Sequence, residues 1–351
     1  MIFSKKDQLV GLDIGSKAIK VALISEKKKG LTLERFGMME IAPGLIEEGT
    51  IKEPESVADM LRQLFKTYGI KERNVAISIG GYSVIVKKIN VQTMTEEQLQ
   101  DTIHFEAEQY IPFDINDVNL DFQILGESEQ ASNHMSVLLV AAKKEMINDY
   151  ISLTQLAGLN PCIIDIDAFA LQNIFEANYD IDNENVALID IGASKTSLNI
   201  LKGHNSVFMR DVALGCGQIN QKIVSILDCS FEEAELIKFG EKTDKMTPED
   251  LSEIASSIVS GWCTEIRRAL DFFYSTYPDD QIKQIVISGG GGNINEFREL
   301  LSAETSAEVK TINPFAKFHL DTERFDRSYL NRIAPQASIC MGLATRKVDD
   351  K

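Results

Sequence analysis

The sequence predicts an α/β fold of two duplicated lobes with a small α+β insertion in the first. Three observations carry this. The segment "VGLDIGSKAIKVALIS" (Val10 to Ser25) returns in outline as "LIDIGASKTSLNIL" (Leu188 to Leu201), about half the chain later. At 351 residues the chain is longer than single hydrophobic cores usually grow. Strand-like alternation also gives way repeatedly to helix-like periodicity, the pattern of layered α/β proteins.

The elements follow in order. Val10, Leu12 and Ile14, then Ile19, Val21 and Leu23, alternate around Gly15-Ser16, and "GLTLERFGMMEI" continues the pattern, so three antiparallel strands open the chain. "EPESVADMLRQLFKTYGI" reads as an amphipathic helix with Val57, Met60, Leu61, Leu64 and Phe65 on one face and Gly69 as its stop. "NVAISIGG" is a strand. Residues 82–153 read as the insert: a strand "SVIVKKINV", a helix "TEEQLQDTIHFEAEQYI" with Thr95 and Gln98 at capping-box spacing and Pro112 as its end, and the strands "DVNLDFQIL" and "MSVLLVAAK". A helix closed by Gly158, the strand "CIIDID" and the helix "AFALQNIF" complete the first lobe, which takes residues 1–81 and 154–183. The acidic "DIDNENV" marks the boundary. The second lobe, 184–334, repeats the three-stranded opening, carries a helical subdomain at about 226–280, and ends in a strand, a four-glycine loop and a helix. The helix from "APQASICMGLATRK", about 335–351, is expected to pack back on the first lobe.

Composition narrows the function classes. A formal charge of −17 with no basic run longer than Lys27-Lys28-Lys29 speaks against nucleic acid and against direct contact with an anionic membrane surface. Those three lysines, next to Gly30, read as a solvated hairpin turn. The five cysteines (Cys162, Cys216, Cys229, Cys263, Cys340) have no C-x-x-C spacing, and His104, His134, His204 and His319 lie far apart, so no disulfide framework and no imidazole metal site is indicated. Lys5, Lys6, Asp7 and Asp13 interrupt any leader-like apolar run, and no window supplies the ~18 apolar residues of a membrane span. The chain is expected in the cytosol, with any membrane association made through a partner.

Each D-I-G element sets a carboxylate at a strand end and a residue without Cβ in the turn after it. Such a turn can aim backbone amides at an oxygen-rich anion, while Asp13 and Asp190 can hold the water shell of Mg²⁺. Two such hairpins facing each other would grip a polyphosphate from both sides. Two look-alikes fail. "GASKTS" lacks the glycine before Lys195 and the upstream glycine of a P-loop, and "SGGGGNINEF" has Ile294 where a dinucleotide fingerprint needs its last glycine.

Taken together, "DIGSKAIK" (Asp13 to Lys20), "DIGASKT" (Asp190 to Thr196) and "ISGGGGNI" (Ile287 to Ile294) resemble the two phosphate hairpins and the adenosine loop of the actin, sugar kinase and heat-shock chaperone superfamily. The resemblance implies an actin-like, ribonuclease H-like duplicated fold that binds ATP and Mg²⁺ between its lobes. It implies nucleotide contacts from Asp13, Gly15, Ser16, Lys17, Lys20, Asp190, Gly192, Ser194, Lys195, Thr196, Gly215, Gly289, Gly290, Gly291 and Asn293. "AELIK" (Ala234 to Lys238) is similar to a helix of bacterial actin-like proteins whose acid and lysine approach ribose and base, here Glu235 and Lys238; a surface i,i+3 pair is the alternative. "EAEQYIPFDINDVNLDFQIL" (Glu106 to Leu125) and "TEIRRALDFFYS" (Thr264 to Ser275) narrow the resemblance to the FtsA-like PilM family of type IV pilus assembly.

That family resemblance implies a cytoplasmic scaffold in pilus assembly and twitching motility. It would dock the basic cytoplasmic N-terminal tail of a PilN-like inner-membrane protein in a groove between insert and first lobe, with other inner-membrane pilus components nearby and self-association open. ATPase activity would be weak or absent. Two departures stand out. "GCGQIN" (Gly215 to Asn220) replaces the usual G-G-threonine turn, which leaves the polar contribution beside Gly215 open. The hydrolytic acid has two candidates, Asp165 and Asp167, either of which could instead cap the next helix. The rival functions on the same fold are a small-metabolite kinase and an FtsA-like filament-forming division protein.

Overall fold

The structure, a computed structural model, describes residues 8–28, 30–128, 131–180, 184–238, 245–348 and 350. Lys5, Lys6, Asp7, Lys29, much of the "DIDNENV" boundary and the end of "FEEAELIKFG" lie outside the described residues.

The first lobe opens with the antiparallel meander β1 (Val10–Ile14), β2 (Ala18–Lys27) and β3 (Gly30–Glu40). A short ribbon, β4 (Ile46–Glu47) and β5 (Thr50–Ile51), leads to α1 (Pro54–Thr67) and to β6 (Asn74–Ile79), which lies parallel beside β1. Proline starts α1 where its missing N–H costs nothing. The helix buries Val57, Ala58, Leu61, Leu64 and Phe65, with the expected Met60 half-buried against the same core.

The insert comprises β7 (Val84–Gln92), α2 (Glu96–Ala107), β8 (Val118–Glu127) and β9 (His134–Lys143), the strands ordered β7-β9-β8. The expected capping box forms: the Gln98 amide donates to Thr95 Oγ1 at 3.2 Å and the Thr95 amide to Gln98 Oε1 at 2.9 Å. Pro112 does not end the helix. It closes a turn earlier, at Ala107, where the Tyr110 and Ile111 amides both bond the Ala107 carbonyl and turn Ile111 into the core. One face of the insert sheet packs on α2 through Leu99 and Ile103; Val84, Val86, Val140 and Ala142 on the other join the core of the first lobe.

The helix α3 (Lys144–Leu156), read largely as part of the insert, buries Tyr150 and Leu153 in the same core as α1. Then β10 (Asn160–Ile166) pairs parallel with β6, and α4 (Asp167–Asn178) crosses toward the second lobe.

The second lobe repeats the plan with β11 (Asn185–Ile191), β12 (Thr196–Lys202) and β13 (Asn205–Val212). Three helices follow, α5 (Gly217–Leu227), α6 (Phe231–Lys238) and α7 (Pro248–Thr276), the last with its own Thr247–Asp250 capping box. They pack over Trp262 and Phe273. β14 (Ile282–Ser288), α8 (Asn295–Thr305) and β15 (Glu308–Thr311) complete a sheet ordered β13-β12-β11-β14-β15. In both sheets the strand bearing D-I-G lies between an antiparallel hairpin partner and a parallel neighbour, which is the duplication in three dimensions.

From residue 312 the chain returns to the first lobe. β16 (His319–Leu320) pairs with β3 as the sixth strand of the order β10-β6-β1-β2-β3-β16, although the sequence reading kept it in the second lobe; two residues are too few to show a period. α9 (Arg327–Ile333) follows, and α10 (Ser338–Ala344) packs on α4, β1, β2 and β6. A shared core joins Phe36 of the first sheet, Phe175 of α4, Leu188 and Val286 of the second sheet, and Phe315, Leu330 and Met341 of this return segment.

Candidate functional site

The two D-I-G hairpins face each other across the lobe junction. Tight turns put Gly15 and Gly192 at equivalent places: the Gly15 amide donates to the Ala18 carbonyl at 3.2 Å and the Gly192 amide to that of Lys195 at 2.9 Å. The turn tips meet, with Ser16 Oγ and Ser194 Oγ 3.0 Å apart. Among the described residues the Ser16, Lys17, Ala193 and Ser194 amides donate to no backbone carbonyl, so the turns can present N–H groups to an anion.

The flanking side chains differ. Asp13 stands in register with Lys20, whose Nζ donates to Asp13 Oδ2 at 2.8 Å. Asp190 stands in register with Ser197, which turns away and donates to Asp211 Oδ1 at 2.6 Å. Burial pushes the Asp190 carboxyl up to about 6 against a Ser288 hydrogen bond, with Asp13 and Asp167 adding like charge. Burial likewise holds Asp13 above the carboxylate range despite Lys20.

The lysine of the second turn crosses the junction. Lys195 Nζ donates to Asp167 Oδ2 at 2.6 Å and lies 3.9 Å from Asp211 Oδ2. Burial opposes both charges, but Lys195 and Ser78 hold Asp167 below its ordinary range, and Asp167 with Asp211 raises Lys195. This separates the two hydrolytic candidates. Asp167 faces the hairpins; Asp165 accepts the Ile166 amide and lies 3.6 Å from Arg346 Nε near the chain's last turn. Neither caps α4 by a side-chain bond.

Glu235 and Lys238 meet at 3.0 Å on α6 and share buried Asn220, whose side-chain amide also bonds Glu235. Lys17 reaches over from the first lobe to within 3.8 Å of Glu235. The i,i+3 pair is thus part of a lobe-bridging network. Thr196 turns inward and donates to the Leu214 carbonyl at 2.9 Å. The Gly215 turn packs on the second hairpin: the Cys216 amide bonds the Gly192 carbonyl at 3.0 Å and the Gly217 amide that of Ala193 at 2.8 Å. Its contribution is therefore to brace the hairpin.

The glycine loop has a packing reason of its own. Gly289 has φ +79, and a Cβ there would stand 2.3 Å from the Ile191 carbonyl oxygen; one at Gly291 would meet the Ile191 side chain at 2.5 Å. Gly290 has no such crowding, with Cys216 Sγ 3.9 Å away. Asn293 is engaged elsewhere, its amide donating to the Arg332 carbonyl at 3.2 Å.

A cavity of about 210 Å³ adjoins this junction, lined by Tyr82, Val84 and Val86 on the insert side and by Asp167, Met209 and Asp211 opposite. It lies between two sheet edges, β7 and β13. Gly81 N donates to Asp211 Oδ2 at 2.6 Å and Ala213 N to the Tyr82 hydroxyl at 3.1 Å across its inner end. Ser78, Tyr82, Asp211 and Asn220 are not singled out by the sequence, in which "NVAISIGG" reads only as a strand. Among the described residues no cluster of three or more His, Cys, Asp or Glu could hold a metal directly, and no helix is long and apolar enough to cross a membrane.

Comparison with known proteins gives concordant results. A family model described as type IV pilus assembly protein PilM matches residues 11–348. A chain of a PilM-PilN type IV pilus biogenesis complex superposes with a TM-score of 0.87 at 26% identity, covering 98% of this chain and 99% of that one. The ethanolamine utilization protein EutJ of Carboxydothermus hydrogenoformans matches at a TM-score of 0.60 and 13% identity, covering 98% and 91%. MreB5 of Spiroplasma citri bound to AMPPNP matches at 0.52 and 12%, covering 94% and 99%. The last two establish likeness of fold.

Proposed function

Since the chain belongs to the type IV pilus assembly protein PilM family, we propose that it is an ATP-binding scaffold of a pilus assembly machine that docks the N-terminal tail of a PilN-like inner-membrane protein. The observation that carries this reading is the end-to-end likeness to a chain of the PilM-PilN complex, at 26% identity. The tail would enter the slot between β7 of the insert and β13 of the second lobe, rather than the groove between insert and first lobe that the family resemblance implies, laying apolar side chains against Val86 and Met209 and bonding main chain to a strand edge. Basic residues flanking its membrane segment suit a chain of net charge −17. The protein would work in the cytoplasm, peripheral to the inner membrane through this partner.

The junction residues fit a magnesium nucleotide. The Ser16–Lys17 and Ala193–Ser194 amides would cradle phosphates, Lys20 would exchange Asp13 for a phosphate oxygen, and Asp13 with Asp190 would hold Mg²⁺ through water. Glu235 and Lys238 would meet the ribose and base, with Gly290 below them. ATP would part the meeting hairpin tips and so alter the adjoining slot, a rearrangement about a ligand at a lobe interface.

Calorimetry of a synthetic PilN-type tail, with and without ATP-Mg²⁺, tests both parts. The expected result is one tail per chain with an affinity that changes with nucleotide. No tail binding in either condition would remove the scaffold reading, and equal affinities would remove the switch.

A further inference from the structure

Asp167 is the carboxylate at the lobe junction that belongs to neither hairpin, and it is fully engaged. Its Oδ1 accepts the Ser78 hydroxyl at 2.6 Å and its Oδ2 accepts Lys195 Nζ at 2.6 Å. The Gly80 backbone closes over the pair: a Cβ at Gly80 would stand 2.1 Å from Lys195 Nζ and 2.6 Å from Asp167 Oδ2. On the other side, Asp211 holds Lys195 from 3.9 Å while its carboxylate is anchored by Gly81 N and Ser197 Oγ, each at 2.6 Å.

Hydrolysis of a bound nucleoside triphosphate needs a water whose oxygen bonds the terminal phosphorus while the bond to the bridging oxygen breaks. The nucleoside diphosphate leaves with the electron pair, and the water's proton passes to a base. Asp167 has the chemistry for that base and interacts electrostatically with both hairpin acids, Asp13 and Asp190. An acid with one oxygen on a hydroxyl and the other paired to an ammonium is held away from that nucleophile and is a weaker base for the ion pair.

We propose that Lys195 is a built-in inhibitor of nucleotide hydrolysis, capturing Asp167 across the lobe junction so that the protein binds a nucleoside triphosphate as a ligand and leaves it intact. The inference rests on the nucleotide-binding reading above. It also gives the second turn's lysine a target of its own: Lys17 of the first turn reaches Glu235, whereas Lys195 reaches Asp167.

The test uses the full chain as wild type, Lys195→Met, Lys195→Arg and Lys195→Met with Asp167→Asn. Phosphate release from ATP-Mg²⁺ should rise at least about tenfold in Lys195→Met, within the range a positioned base supplies. It should rise less in Lys195→Arg, which keeps the ion pair, than in Lys195→Met, and fall back in the double variant. The pH profile of Lys195→Met should gain an acidic limb that the double variant lacks. Without nucleotide, amide exchange at 78–82 should quicken in Lys195→Met. If that variant does not fold, Lys195→Gln is read in its place. A non-hydrolysable ATP analogue, titrated in parallel, keeps the failures apart. An unchanged hydrolysis rate with the analogue bound overturns the inhibitor, whereas no analogue binding to wild type overturns the nucleotide reading and the inhibitor with it.

Discussion

Ser16 and Ser194, 178 residues apart, bring their hydroxyl oxygens within 3.0 Å of each other at the tips of equivalent hairpins. The contact measures how nearly shut the junction is. A polyphosphate that uses both turns must part them, so the pair marks the gate.

Cysteines at these two positions should therefore cross-link. The double variant Ser16→Cys, Ser194→Cys is expected to form a disulfide under mild oxidation and to lose ATP-analogue binding until reduced. Binding that survives in the cross-linked protein would mean that nucleotide enters by another route. Native Cys263 and Cys340 are buried, whereas Cys162, Cys216 and Cys229 are partly exposed, so the pair is introduced into a background with those three changed to serine.

Asp190 makes the stability of the protein depend on pH in a stated direction. Burial raises its carboxyl from the ordinary aspartate value to about 6, so between those values the native state holds a proton that the unfolded chain has lost. Stability thus falls as pH rises through about 6, and above it the buried charge costs up to about 3 kcal/mol. Asp190→Asn should melt higher than wild type at pH 8, match it at pH 4, and lose affinity for the magnesium nucleotide. A variant less stable than wild type at pH 8 would contradict the burial argument.

Glu235→Ala should destabilise the second lobe by about 1–3 kcal/mol, because it leaves the buried Asn220 amide without its carboxylate. Glu235→Gln, which keeps an acceptor, should lose less. Denaturant unfolding followed by the fluorescence of Trp262, the single tryptophan, reads this lobe directly. Equal losses in the two variants would show that charge matters and the hydrogen bond does not.

Val86→Asp should weaken PilN-type tail binding at least about tenfold, by setting an unpaired carboxylate in an apolar slot, and leave ATP-analogue affinity unchanged. Unaltered tail binding would move the docking site away from the β7–β13 edges.

The sequence made the frame legible where a period or a repeat was long enough to register. The hairpins, α1, the insert order and the capping box of α2 all follow from alternation, helical spacing and paired side chains a few residues apart. What escaped was short or distant. β4, β5 and β16 have two residues each, too few for any periodicity. In the site, the D-I-G acids and turn glycines were visible because they repeat, whereas Ser78, Asp211 and Asn220 are single polar residues that acquire meaning only when another lobe or helix arrives. Thr196 and Asn293 show the converse, since motif position suggested a ligand contact and local geometry gave each a carbonyl partner within the protein. Lys195 was rejected as a P-loop lysine for sound reasons of spacing, and its actual partner lies on another element altogether.

The placement of α10 bears on synthesis of the chain. The strand Val10–Ile14 leaves the ribosome more than three hundred residues before Ser338–Ala344, which packs on it together with β6 and α4. Until then Leu9, Ala76, Ile163 and Ala170 have no Ile339 and Leu343 to pack against. The second lobe can assemble its own core around Trp262 during translation, whereas the first must wait with an apolar face uncovered, and a nascent chain would need a chaperone at that face rather than at the other.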